Sequence, residues 1–533
     1  MTAYAERRAF WEHPALLAAI VLAACIPLLF PAIPPLVDVP GHMSRYHVEL
    51  AIGDSPYLSR YYGFQWALIG NLGIDLLIIP VAKIFGLELG TKLIVMAIPM
   101  LMSLGFLAVA REVHGRIPPT AFFALPLAYS YPFQFGFVNF SLSAALCFLA
   151  FALWLRLGRT GRGRLRALIF VPLASLLWLC HTYGWGLLGI LAFSAEAAAR
   201  REAGASWLRA SWRAVLASVP LMLPFALMLL WRSGLTGGDT FEWFNWTNKI
   251  VWMASLLREH WQAWDVAGAA LLIMLCALGL LGIDFRMVLP LKLAAILMLP
   301  LFLVIPFVLL SSGYADMRLA PIMVAVGVLA LDLKDPSRER FAATVAAAGL
   351  VFFIARLAVT TQVFAAVERD WQHQLTALDH IAPGSRVLAL ANTPCPGAAT
   401  WATRRMDHLD TMAVIRRDAF TNGMWAVRGA QLLQVNYKQS RPFVTDPSQM
   451  LRPPRCRGRY LSIEQALATP AGSFDYLWLI DVPREQWPHK PGLVAVWQGG
   501  ETGILYRAPG ASNPPINAAP ATTHQPRRTP TGD

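Results

Sequence analysis

Apolar runs recur along the first two-thirds of this chain. They fall at about 14–33, 66–85, 91–110, 118–131, 137–155, 167–180, 183–199, 214–231, 266–283, 290–310, 319–333 and 341–362. A run of roughly 20 apolar residues matches the thickness of a bilayer core, and a helix is the form in which such a run satisfies its own backbone there. The chain therefore folds as a polytopic α-helical membrane protein. Composition agrees: 56% of the 533 residues are hydrophobic and 14% are charged, against about 25% charged in soluble domains. The net charge of +13 would suit nucleic acid. The arginines instead sit in short loops between the runs, so the charge is topological and no nucleic-acid partner is expected.

Positive loops also set the number of crossings. Arg7 and Arg8 precede the first run, so the N-terminus is placed in the cytoplasm. Leu22-Ala23-Ala24-Cys25 resembles a cleavage box, but the run continues to Phe30, which argues for an uncleaved first helix. Twelve crossings would put Arg156, Arg159, Arg162, Arg164 and Arg166 outside, together with Arg200, Arg201, Arg209 and Arg213. Short basic loops belong inside. One run must therefore fail to cross, and 66–85 is the choice. It carries Asn71, Asp75 and Lys83 and is interrupted by Gly70, Gly73 and Pro80. Asp75 alone would cost roughly 2.5–3.5 kcal/mol at a bilayer centre.

About eleven crossings then place 111–117, 156–166, 200–213, 284–292 and 334–340 in the cytoplasm. The opposite face receives 34–90, 131–137, the break at His181-Thr182, 232–265, 311–318 and everything after about 363. Its segments are long and aromatic, notably Phe241, Trp243, Phe244, Trp246, Trp252, Trp261 and Trp264. Tryptophans at that level anchor a protein among lipid headgroups. Function is expected on this outer face.

The expected organisation is a transmembrane domain over 1–365 with a first external loop at 34–90, followed by a soluble α/β domain over 366–509. Arg386–Leu390 and Tyr476–Ile480 read as strands, Leu493–Trp497 and Gly503–Tyr506 as a hairpin, and His408–Phe420 as helical. The tail 510–533 is rich in Pro, Ala and Thr and is expected to be disordered. Cys25, Cys147, Cys180 and Cys276 lie in apolar runs as packing residues. Cys395 and Cys456 lie in the polar C-terminal region and would pair as a disulfide in an oxidising compartment.

Chemistry-bearing residues are densest at Pro34–Leu50, PPLVDVPGHMSRYHVEL. Asp38 is placed to cap a helix starting near Pro40. His42, Arg45 and Glu49 then share one face, the polar side of a short interfacial helix turned toward a cavity. His42, His47 and Glu49 lack the spacing of a metal motif. No phosphate-binding or dinucleotide loop is present. No cofactor or metal is expected.

With its acid just after the first helix, its interfacial segment Asn71–Leu93 and its terminal soluble domain, the layout resembles the C-type (GT-C) membrane glycosyltransferases. Protein mannosyltransferases and the aminoarabinose transferases of lipid A belong to that group. Gly136-Phe137-Val138-Asn139-Phe140 and Tyr314-Ala315-Asp316-Met317-Arg318-Leu319-Ala320-Pro321 resemble motifs of uncharacterised bacterial members. Asp38 takes the place of the family's essential acid, although Asp-Glu is common there and this chain has Asp38-Val39-Pro40-Gly41-His42.

The resemblance implies an enzyme of the bacterial inner membrane that moves a sugar from a polyprenyl-phosphate donor. The acceptor would be a cell-envelope glycan, lipid or protein on the periplasmic side, where the C-terminal domain also lies. Such transfer needs a base, and Asp38 is proposed. It needs a group for the leaving phosphate, for which Arg318 beside Tyr314 and Asp316 is proposed, with Arg45 second. His42, His181 and Asn139 are placed around the same substrate. Two other readings stand beside this one. One is a transporter or flippase of lipid-linked sugars, although no internal repeat is visible. The other is a non-catalytic envelope scaffold.

Overall fold

The structure is a computed structural model that describes residues 9–232, 240–309, 312–392, 401–426, 431–440, 450–451, 462–468 and 472–511. Cys395, Cys456 and all but two residues of the expected tail lie outside the described residues. Among the described residues, five helices are long and apolar enough to cross a membrane. These are Leu87–His114, Val138–Arg159, Gly163–Cys180, Gln262–Leu281 and the helix that starts at Glu339. Trp207–Ala217 and Val219–Leu229 make a sixth if the 45° bend between them lies within one span. Pro220 and Pro224 account for that bend, because each removes a backbone donor. Pro14–Ala23 and Leu289–Val304 are shorter apolar helices. This is a multi-pass membrane protein.

Three apolar runs fold differently from a plain crossing. Pro119–Tyr129 is an eleven-residue 3₁₀ helix with every residue buried. Pro118, Pro119 and Pro126 disfavour α-helical bonding here, and an irregular segment is tolerated at membrane depth when protein rather than lipid surrounds it. The run 66–85 contains the 13-residue helix Gly73–Phe85, about 20 Å long and short of a hydrocarbon core of about 30 Å. The last run continues without a break to Leu375 in a 37-residue helix. The expected boundary near 365 therefore falls inside one helix. Hydropathy ends there, while helix-forming residues carry on through Ala365-Ala366-Val367-Glu368.

Ion pairs gather the basic loops at one end of the bundle. Arg159 meets Glu112 at 2.5 Å, and Arg116 and Arg286 reach Asp332 at 2.7 and 3.3 Å. Arg338 meets Asp284 at 2.6 Å, and Arg166 and Arg200 share Glu196. At the opposite end stands a mixed sheet. Arg386–Asn392 runs parallel to Tyr476–Ile480, Phe420–Thr421 and Met450–Leu451. Gly503–Arg507 pairs antiparallel with Tyr476–Ile480 and with Val494–Gln498, the latter as a hairpin. All five residues of Tyr476–Ile480 are buried, as a strand covered on both faces requires.

The helix Val39–Ala51 joins the two parts. Its Tyr46 packs in the bundle core, while Met43 and Val48 enter the two clusters that cover the sheet. Ser44 Oγ donates to the Thr411 carbonyl at 2.7 Å, and His47 Nε2 lies 2.7 Å from Asp418 Oδ1. The helix is thus enclosed between bundle and sheet, where a surface-lying helix was expected. Its polar face meets Gly73–Phe85. Arg45 pairs with Asp75 at 2.9 Å, and both side chains are almost fully buried.

Candidate active site

A cavity of about 330 Å³ lies where the bundle meets the C-terminal segment. Asp38, His42, Asn139, His181, Tyr314 and Arg318 all line it. These six come from four stretches that are far apart in sequence, brought together by the helix ends at the sheet side of the bundle. Arg45 and Asp316 do not line it.

Asp38 is held by its backbone. Its N–H donates to the Phe135 carbonyl at 3.0 Å, which ties the first loop to the turn before Val138. Gly136 closes that turn at φ +99°, and a Cβ there would stand 2.7 Å from the Asp38 nitrogen. Only glycine fits both the angle and the approach. Asp38 precedes the helix Val39–Ala51, yet its side chain makes no capping hydrogen bond. The carboxylate faces the cavity instead. Burial holds it well above the usual carboxylate range, Asp407 pushes the same way, and Arg318 pulls it back.

Arg318 is buried, and its Nη1 donates to the Gly313 carbonyl at 2.9 Å and to Ser312 Oγ at 3.1 Å. Its guanidinium lies 4.2 Å from the Phe137 ring centroid. Its Nε has no partner. Asp316, placed with Arg318 at the substrate in the expectation from sequence, turns away instead, and its Oδ2 binds Lys249 Nζ at 2.7 Å. Among the described residues no carboxylate stands within 4.0 Å of Arg318. A buried cation without an anion is costly by several kcal/mol unless something supplies the missing charge. Tyr314, just before this helix, sits at φ +57°, a left-handed angle that is strained for a tyrosine. Its ring packs tilted or edge-on against Phe135, Phe307 and Trp252.

Arg45 and Asn139, both placed beside the substrate in the sequence reading, serve the wall of the cavity. Arg45 was expected as the second candidate for the phosphate, but its Nη2 is spent on Asp75. Asn139 lines the cavity, yet its Oδ1 accepts from the Ile74 N–H at 2.8 Å, and its Nδ2 lies 3.0–3.2 Å from the Asn71 carbonyl, Asn71 Oδ1 and Asp75 Oδ2. That amide caps the start of Gly73–Phe85. His181 caps the helix Thr182–Glu202, where Nδ1 accepts from the Tyr183 N–H at 3.2 Å. Nε2 is left to carry the ring proton.

Four further lining residues come from the strap 401–425: Arg404, Asp407, His408 and Trp425. His408 Nδ1 is 3.2 Å from the Gly423 carbonyl. A carbonyl only accepts, so Nδ1 carries the proton and Nε2 is a bare lone pair. That Nε2 stands 3.8 Å from Asp38 Oδ1. Burial pulls His408 down to about 4, so the ring is neutral at physiological pH. The Trp425 ring lies 4.3 Å from that of His408 and 5.5 Å from that of His42. It packs over Gly41, where any Cβ would overlap it.

Arg405 fixes the strap by donating to the Pro35 carbonyl and, at 2.7 Å, to Gln134 Oε1. Gln134 passes the contact on to Glu259 at 3.1 Å, and the Glu259 carbonyl accepts from the Thr403 N–H. Nothing in the periodicity of 401–425 signals this placement. The trace in the sequence is Gly41, a small residue three positions after Asp38 where a tryptophan must fit.

No known protein family and no curated protein matches the sequence. Among solved structures, the chain is similar to ArnT from Cupriavidus metallidurans, crystallised with undecaprenyl phosphate. The TM-score is 0.44 at 12% identity, over 93% of this chain and 98% of that one. At so low a similarity the chemistry has to be judged from the side chains themselves.

Proposed function

We propose that this protein is a membrane glycosyltransferase that moves a sugar from a polyprenyl-phosphate donor to an acceptor hydroxyl at the extracytoplasmic face of a bacterial inner membrane. One observation carries the reading. A buried arginine with no carboxylate within ion-pair distance among the described residues and a buried carboxylate line the same small cavity at the end of a helix bundle. Arg318 offers a phosphate the charge and donors it needs as the glycosidic bond to phosphate breaks. Asp38, with its raised proton affinity, accepts the proton of the attacking hydroxyl. His408 Nε2, a lone pair 3.8 Å from Asp38 Oδ1, faces the protonated carboxyl that results. Trp425 and Tyr314 offer ring faces to a sugar.

On this reading the strap 401–425 closes the cavity against water and makes the C-terminal segment part of the active site. The strand-rich segment and the cavity then lie outside the cytoplasm, opposite the basic loops. The test is a glycolipid and envelope-glycan profile of a deletion strain. We expect a lipid-phosphate sugar to accumulate while one glycan loses a residue. Wild-type gene restores the profile, whereas Asp38→Asn and Arg318→Gln, inserted at normal level, do not. Full restoration by Asp38→Asn removes the base from the proposal. Lipid-sugar redistribution across the membrane with no lost glycosidic linkage would instead identify a flippase.

A further inference from the structure

A second crevice in the bundle lies away from this site. It measures about 870 Å³ and is walled by Pro14–Ala23, Leu87–His114 and Val138–Arg159. Its position follows from helix lengths. Along Val138–Arg159, Arg156 stands about 26 Å beyond Asn139, which lines the first cavity. Along Leu87–His114, Arg111 stands about 35 Å beyond Glu88, and Glu88 is paired with Arg416 of the C-terminal segment at 3.0 Å. The crevice therefore opens at the far end of the bundle, among the basic loops.

Its wall is apolar, lined by Leu17, Val21, Leu22, Leu104, Leu107 and Leu153. Leu22 and Leu104 are left 60% and 43% exposed, facing the bilayer. Its rim carries three arginines and one acid. Glu112 is taken by Arg159 at 2.5 Å. The guanidiniums of Arg111 and Arg156 have no hydrogen-bond or ion-pair partner among the described residues. The crevice thus combines an apolar slot with two exposed, unpaired guanidiniums at its rim.

We propose that it binds an anionic membrane phospholipid, with the phosphate between Arg111 and Arg156 and an acyl chain along the Leu22–Leu104 wall. Guanidinium forks match phosphate oxygens in both charge and shape. The apolar slot selects a lipid over a free anion, and basic pockets between membrane helices are suited to anionic headgroups. This site is independent of the transferase reading.

The experiment is native mass spectrometry of the full-length protein, equilibrated with equal amounts of phosphatidylglycerol and phosphatidylcholine of matched chains. Two basic groups at a headgroup predict a roughly thirtyfold preference for phosphatidylglycerol. R111Q/R156Q should bring that preference close to one. R209Q/R213Q, which removes equal charge from the basic helix Trp207–Ala217 outside the crevice lining, should leave it unchanged. Leu104→Trp, which narrows the slot and keeps the charges, should lower retention of both lipids. The proposal fails if the wild type shows no preference, if R111Q/R156Q keeps it, or if R209Q/R213Q loses it equally.

Discussion

The Arg45–Asp75 pair gives the sharpest test of how the cavity wall is held. Arg45 Nη2 lies 2.9 Å from one Asp75 oxygen and 3.0 Å from the other, with side-chain exposures of 3% and 2%. Asp75 also accepts from Asn139 at 3.2 Å. Removing one member of such a pair strands the other, at about 3–5 kcal/mol. The two single variants should differ in kind. In Arg45→Met the stranded carboxylate escapes by taking up a proton, which costs about 4 kcal/mol at pH 7 and almost nothing near pH 4. In Asp75→Leu the stranded guanidinium has no such escape, so its penalty should hardly change with pH.

The double variant, Arg45→Met with Asp75→Leu, strands neither charge and fills the space with apolar atoms. It should come within about 2 kcal/mol of wild type, since Asn139 keeps both contacts to Asn71. Additivity would instead put the loss at about 6–10 kcal/mol. The measurement is equilibrium unfolding in mixed micelles by tryptophan fluorescence, at pH 7 and pH 4.5. A double variant as unstable as the two singles combined would refute the pairing argument. So would an Arg45→Met penalty that does not shrink in acid.

Two other expectations concern protons. Asp38 is raised by burial and then by Asp407, and is opposed by Arg318, so transfer should rise with pH along an acid limb above the ordinary aspartate range. Asp407→Asn should move that limb to lower pH in membranes assayed for the dependent glycan, and an unmoved limb would assign the proton to another group. Burial and then Asp75 push Glu49 up to about 8 while Arg45 opposes, so folding resists its ionisation. Its contribution is complete below about pH 4.3, the unfolded value, and is lost as pH rises toward 8. Glu49→Gln should flatten unfolding stability against pH between 5 and 8.5, and matching slopes in the two proteins would count against it.

Much of the site was legible because charge is scarce in this chain. Asp38 and Arg318 stand at helix ends where solvation is poor, and such residues persist only with a partner or a task. That reasoning led to one cavity from two positions 280 residues apart in sequence. Partner choice was not legible. For Arg45 and Asp316 the sequence offers nearby opposites, Glu49 one turn away and Arg318 two residues away. The fold prefers Asp75 and Lys249, which lie in other elements. A local pair must share one helix face and still face water or lipid, whereas a partner from a packed neighbour lets both charges leave the lipid together. Asp75 and Lys249 are themselves charges in apolar or aromatic surroundings, so each required an opposite from elsewhere. Matching those needs across the chain, before assigning any charge to substrate, would have removed Arg45 and Asp316 from the cavity and left Arg318 as the buried cation in want of an anion.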